Sequence, residues 1–341
     1  MCSFRRLAYL ACTALALSTG GTVNAQAANV FFTGKTITIL IGFGVGGEDD
    51  LWARTIARHL GVHIPGNPTV VPENAPGAGG LLVANRLYNT VPKDGTVIGL
   101  INRGIPFEPL LAGQGDQFDA LKFNYIGSPG RDTTVCAARK DAAVKTMQDL
   151  YSKTLTVGGT GSGADTAIYP EFLSSLLGMK FKIVLGYKGS HDIQLAMERN
   201  EVQGICLAYD SLERGTLARA HQISVLLQAS LEPDPRLKGI PYGLQFTQGK
   251  NEQAALNLFF TRASIGRPFV APPDIPAGRL AELRQAFDAT LHDPAFLDDA
   301  AKQKLRVVPI GGRHISDLIA LAYKTPRAIV ERTTGAMGRS H

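Results

Sequence analysis

The chain has 341 residues, 45% of them hydrophobic and 19% charged, with a formal net charge of +6. That apolar share excludes a disordered chain, and the length suffices for two compact domains with a core each. No dense Lys/Arg stripe marks a nucleic-acid binder, and four Cys in so long a chain exclude a disulfide-built mini-protein.

Arg5 and Arg6 precede an apolar run from Leu7 to Leu17, and small polar residues lead to Ala25-Gln26-Ala27. This order predicts a secretory signal peptide over residues 1–27, cleaved at an A-x-A site. The apolar run is too short for the roughly 20 residues of a membrane span. The mature chain is therefore expected outside the cytoplasm. Beyond the signal only Cys136 and Cys206 remain. An oxidising compartment permits a disulfide between them, and two buried thiols fit their apolar, strand-like surroundings equally well.

Strands and helices then alternate. The β-branched stretch from Lys35 to Ile41 predicts a strand that breaks into glycines at Gly42 to Gly47. A helix follows from Asp50 to Leu60, with Trp52, Ile56 and Leu60 on one face, acids at its positive end and Gly61 as its stop. Thr69 to Val71 reads as a strand, Pro76 to Gly80 as a turn, Leu81 to Asn89 as a helix and Thr96 to Asn102 as a strand. This βαβαβ order argues for a parallel sheet covered by helices. A second series has strands at Thr133 to Ala138, Thr154 to Val157, Phe181 to Leu185, Val202 to Ala208 and Ile223 to Leu227. Helices at Asp165 to Leu177 and His191 to Arg199 lie between them. A long loop is expected from Ala229 to Gly249. Helices should fill the rest: Glu252 to Phe260, Pro276 to Leu291, Pro294 to Leu305 and Arg313 to Arg332.

The sharpest local motif is Gly42-Phe43-Gly44-Val45-Gly46-Gly47, a G-x-G-x-x-G between a strand and a helix. A dinucleotide reading needs an acid about 20 residues on, and Glu73 stands near that spacing. Yet Glu48, Asp49 and Asp50 would set carboxylates beside a pyrophosphate. A broader reading is that a helix N-terminus with glycines lets an anion approach unpaired amides. Three turns qualify: Gly44 to Asp50, Gly77 to Gly80 and Gly159 to Asp165. Facing one another, they would form a cleft that binds carboxylates. Catalytic signatures are scarce: no G-x-S-x-G, C-x-x-C or H-E-x-x-H occurs, and Gly61 interrupts the His59/His63 pair. A non-enzyme without cofactor or metal is expected.

These residues resemble a known family. The run ILIGFGVGGEDDLWAR from Ile39 to Arg54 resembles the first-strand signature V-P-F-P-P-G-G-G-T-D-I-L-A-R of the tripartite tricarboxylate transporter receptors, or Bug family. Val71 to Gly80, VPENAPGAGG, is similar to the family's V-E-N-x-P-G-A-G-G, and Pro92 to Thr96 to its P-D-G-Y-T. Gly159 to Asp165 resembles its G-x-G-S loop, Tyr187 to Ser190 its Y-K-G-S, and Tyr209-Asp210-Ser211 stands where F-D-N is usual. The likeness runs from about residue 35 to 211; the helical tail is similar in pattern only.

The resemblance implies a periplasmic binding protein with a type II fold: two α/β domains joined by two crossover strands, closing over a ligand cleft. The first domain would comprise residues 28–131 and 260–341, the second 132–259. It implies a monomer that captures a small organic acid for a membrane permease of the tripartite tricarboxylate type, with no nucleic-acid partner. Carried over by position, the ligand loops hold Phe43, Gly46, Gly47, Asp49, Asp50, Ala78, Gly79, Gly80, Gly161, Ser162, Gly163, Ala164 and Asp165, with Asp210 at the cleft floor. Asn102 and Arg103 should point into the same cleft, Arg103 gripping a carboxylate with both arms. A carboxylate placed at Gly79 should then occupy the ligand's anion position. Glu48 and Asp49 depart from the family's Gly and Ser/Thr, and oppose a multiply charged anion unless Arg103, Arg131 or Lys188 offsets them. Two other readings stay open: a periplasmic sensor for a membrane kinase, and a nucleotide-dependent oxidoreductase using Gly42 to Gly47.

Overall fold

The computed structural model describes residues 30–112, 115–131, 133–247 and 249–339, so the predicted signal peptide lies outside the described residues. Among these residues, strands β1 (Thr36–Ile41), β2 (Thr69–Asn74), β3 (Val97–Leu100) and β4 (Asn124–Ser128) belong to one sheet. Strands β5 (Thr134–Arg139), β6 (Leu155–Gly159), β7 (Phe181–Leu185), β8 (Gly204–Ala208) and β9 (Ile223–Ala229) form a second sheet in the order β7-β6-β8-β5-β9. The chain then returns: β10 (Phe269–Ala271) and β11 (Ile310–Gly311) complete the first sheet, whose order is β11-β4-β10-β3-β1-β2.

Both faces of β1, between β3 and β2, are buried. Ile37, Ile39 and Ile41 face helix α1 (Glu48–Leu60), where they bury against Trp52, Ile56 and Leu60. Leu40 faces the other way, in the cluster of Val83 and Leu87 on helix α2 (Leu81–Asn89). Each such fully buried aliphatic contributes on the order of 1.5–3 kcal/mol.

The parallel pairing expected from the first three strands is found, and the rest of that sheet is antiparallel. β1 pairs in parallel with β2 and β3, but β10 lies antiparallel between β3 and β4, and β11 runs antiparallel to β4. β10 carries the chain back from the second sheet, so it starts at the edge where β3 and β4 end. The second sheet is also mixed: β6 is parallel to β7 and β8, while β5 is antiparallel to β8 and β9.

Helices α3 (Asp165–Leu177) and α4 (Ser190–Glu198) cover opposite faces of the second sheet, followed by the short α5 (Tyr209–Arg214) and α6 (Thr216–Arg219). Helix α7 (Lys250–Ser264) packs on α3 through a ring stack, Phe172 on Phe259, with centroids 3.9 Å apart. Helices α8 (Ala277–His292) and α9 (Pro294–Lys302) pack around α1. The single helix expected from Arg313 to Arg332 is two, α10 (Gly312–Ala322) and α11 (Arg327–Ala336). Pro326 has no amide to continue the ladder and breaks them apart. α10 packs on β4, and α11 on α7 and α3.

Two segments link the sheets, one from Ser128 to Thr134 and one from Ser264 to Phe269, and they run side by side. Arg267 N donates to Ser128 Oγ at 2.8 Å. Gly266 has φ +62°, and a Cβ there would stand 1.7 Å from the Gly130 carbonyl oxygen, so only glycine fits.

Cys136 and Cys206 occupy directly opposed positions on β5 and β8 and form a disulfide, fully buried. The bridge closes a loop of sequence separation 70. Chain-entropy arithmetic for such a loop gives about 4 kcal/mol. The Cys136→Ser/Cys206→Ser variant should lose stability of that order in urea unfolding; equal stability would show that the pair contributes nothing.

Candidate functional site

The turn between β1 and α1 is built by a buried acid. Asp50 accepts from Gly46 N at 2.9 Å, from Arg54 Nε at 2.8 Å and from Asn74 Nδ2 at 2.8 Å, and the same Asn74 nitrogen donates to the Phe43 carbonyl at 3.0 Å. Burial alone would raise this carboxyl; the Arg54, Gly46 and Asn74 hydrogen bonds outweigh it and hold it below the usual range. The result is a rigid loop that presents the first amides of α1.

Those amides face a cavity of about 80 Å³ between the two sheets. Gly47, Glu48 and Asp49 come from the start of α1, Ala164, Asp165 and Thr166 from the start of α3, and Gly189 and Ser190 from the start of α4. None of the three helices carries a side-chain cap at its N-terminus. First-turn amides have no partner within their helix, and their dipoles add a partial positive charge. Three such ends at one point form a hydrogen-bonding pocket for an anion. Phe43, Asn102, Thr160 and Ser211 complete the wall, with Gly266 and Arg267 from a linking segment.

The charged groups of the wall are paired. Arg103 donates to Asp165 across the sheets and to Thr134 Oγ1 at 2.8 Å. Glu48 meets Arg214 at 2.6 Å and Arg267 at 2.7 Å, and Arg267 reaches Asp49 at 3.2 Å. Burial pushes the Glu48 carboxyl up, but Arg267 and Arg214 prevail and keep it below the ordinary value. Asp49 goes the other way: burial lifts it from 3.8 to about 6, helped by the charges of Glu48 and Asp165 against those of Arg267 and Arg103. The sheets are thus drawn together by Arg103–Asp165 and Glu48–Arg214, and by Gly44 N donating to the Lys188 carbonyl at 3.3 Å.

Of the residues singled out from the sequence, Phe43, Gly47, Asp49, Asn102, Arg103, Ala164 and Asp165 line this cavity. The others do not. Gly46 and Asp50 form the loop behind it. Gly79 presses on the facing lobe, where a Cβ would stand 2.9 Å from Ala164 N, and Gly161 presses back on Gly79 N. Gly80 packs near Phe43 and Asn102, while Ala78, Ser162 and Gly163 line a separate cavity beside Glu108 and Arg339. Asp210 is not in the wall; it pairs with Arg236 and, across the lobes, with Arg306 at 3.6 Å. Arg103 grips Asp165, and the acids at the mouth are offset by Arg214 and Arg267, not by Arg131 or Lys188, which are exposed. The carboxylate expected at position 79 therefore meets a loop of the other lobe. Glu73, half exposed, pairs with Arg86 and is not turned to Gly42–Gly47 as a ribose would need. Sequence reasoning also missed Gly189 and Ser190 of the Y-K-G-S run, Thr160, Thr166, Ser211 and Arg267.

Among the described residues no group of three or more His, Cys, Asp or Glu could hold a metal, and no helix is long and apolar enough to cross a membrane. Two mixed α/β sheets with helices, meeting at a cleft lined by helix N-termini, define the periplasmic-binding-protein fold. Solved structures share it: the periplasmic binding protein BugD (TM-score 0.70, 18% identity, 89% of this chain and 99% of that one) and MatC from Rhodopseudomonas palustris with bound malate (TM-score 0.70, 18% identity, 90% and 100%). A curated Cupriavidus necator protein, "UPF0065 protein in gbd 5'region", is 26% identical over 320 residues, 90% of each chain. The profile of the "Tripartite tricarboxylate transporter family receptor" matches residues 53–334. The chain belongs to that family of receptors.

Two outcomes follow from the paired charges. The folded chain holds the Asp49 proton more tightly than the unfolded chain, so stability from this group declines as pH rises from 3.8 to about 6. Asp49→Asn should unfold at higher urea than the wild type above pH 6, by about 1–3 kcal/mol, with the gap closing below pH 4; a pH-independent gap would contradict the assignment. Arg103→Ala leaves Asp165 buried and unpaired and should cost about 3–5 kcal/mol, part of it recovered in Arg103→Ala/Asp165→Asn. Urea titration of both variants checks this.

Proposed function

We propose that this protein is an extracytoplasmic solute-binding protein that captures a small organic acid between its lobes and delivers it to a membrane permease of the tripartite tricarboxylate type. Residues 28–131 with 260–341, and residues 132–259, act as the two closing bodies. The observation that carries this reading is the meeting of three uncapped helix N-termini, from both lobes, at one cavity. Backbone amides there hold the ligand's carboxylate, Thr160, Thr166 and Ser190 offer hydroxyls around it, and Asn102 a carboxamide. At roughly 10–15 Å³ per water position, about 80 Å³ admits a handful of heavy atoms, far fewer than a dinucleotide. Malate and adipate in the R. palustris relatives support a carboxylate ligand. Export through a signal peptide over residues 1–27 fits a receptor that meets its solute outside the cytoplasm.

A thermal-shift screen of small carboxylates tests the reading. A true ligand at 100 times its Kd stabilises the closed protein by about 2.7 kcal/mol; no shift with any carboxylate would refute the reading. In the same assay Gly79→Asp should reduce the ligand-induced shift to less than half, because a side chain wedged against Ala164 N holds the lobes apart. Its unliganded melting should itself fall, because Gly79 holds φ +66°, so the ligand-induced shift is read against the variant's own unliganded value. A full ligand-induced shift in this variant would show that the Gly79 contact plays no part in closure.

A further inference from the structure

The charge balance of the cavity narrows the class of acid. Among the described residues five charged side chains line it: the acids Glu48, Asp49 and Asp165 and the guanidiniums Arg103 and Arg267. Arg214 reaches Glu48 from outside the wall. Every guanidinium here is thus engaged by an acid of the wall: Arg103 by Asp165, Arg214 by Glu48, Arg267 by Glu48 and Asp49. Helix amides can neutralise one carboxylate. A second would face three acids with no cation assigned to it, at the low-dielectric cost of a like-charge cluster.

Two acceptors in the wall are meanwhile poorly served. Asp49 lines the cavity, with Arg267 Nε at 3.2 Å as its nearest ion-pair contact. Asp165, nine-tenths buried and also in the wall, gives Oδ2 to Arg103, while its Oδ1 is buried without a hydrogen-bond partner. A buried acceptor left unmade costs free energy that a donor on the ligand recovers.

We infer that the ligand is a small monocarboxylate bearing a protonated amino group, its carboxylate on the first amides of α1, α3 and α4 and its ammonium on Asp49 and Asp165. This inference rests on carboxylate capture in the cleft and goes beyond it by naming the second group. A dicarboxylate without an amino group is disfavoured.

Calorimetry on the purified protein with matched probes tests it: glycine against acetate, L-alanine against propionate, L-aspartate against succinate. The tightest probe should be an amino monocarboxylate, binding at least tenfold tighter than its partner lacking the amino group. That ratio should fall below threefold in Asp49→Asn, with propionate binding tighter than to the wild type. Wild-type protein that binds propionate or succinate as tightly as the amino-bearing partners would overturn the inference and leave carboxylate capture standing. A tenfold ratio unchanged in Asp49→Asn would overturn the assignment to Asp49. Binding of none of the six would overturn this inference and the carboxylate reading together.

Discussion

Everything at the cleft depends on one arrangement: three helix starts without a side-chain cap, brought to one cavity. A helix beginning without a cap leaves amides that must find water or a ligand. This chain begins three helices that way around one small space, from two sheets. Neither sheet alone assembles the pocket. α1 contributes its amides only because Asp50, Arg54 and Asn74 fix the preceding loop, and α3 and α4 contribute theirs from the other side of the gap.

Much of this was legible in the sequence, and the exceptions have physical causes. β-branched alternation gave β1, and glycine stops bounded α1 and α3. The strands β4, β10 and β11 went unseen because they are short and owe their state to pairing with remote segments, which local pattern does not encode. Residues of the turns at Gly44 and Gly159 do line one cavity. The turn at Gly77 was misread because glycines that approach an anion and glycines that approach another backbone look alike in sequence. Gly79, with φ +66°, belongs to the second kind.

The charged residues show the limit most clearly. Glu48 and Asp49 looked like obstacles to an anion, and the sequence offered Arg103 as the remedy. In the fold Arg103 is committed to Asp165, and the remedy is Arg267 and Arg214, distant in sequence and unremarkable there. Spacing finds residues on one helix face; it does not find partners across a cleft. Reading the acids as members of a balanced cluster turns an objection to carboxylate binding into information about which carboxylate.

The two linking segments bear on how the lobes can move. With Gly266 pressed on the Gly130 carbonyl and Arg267 N tied to Ser128, they behave as one ribbon anchored at a single line. Sliding one lobe past the other would tear that ribbon, whereas tilting about it spares the ribbon and opens the contacts across the cleft, Arg103–Asp165 and Glu48–Arg214 among them. Arg267 sits on this pivot and also touches Glu48 and Asp49, so a change of charge in the cavity is felt at the axis itself. The cavity wall and the link between the lobes thus share one guanidinium.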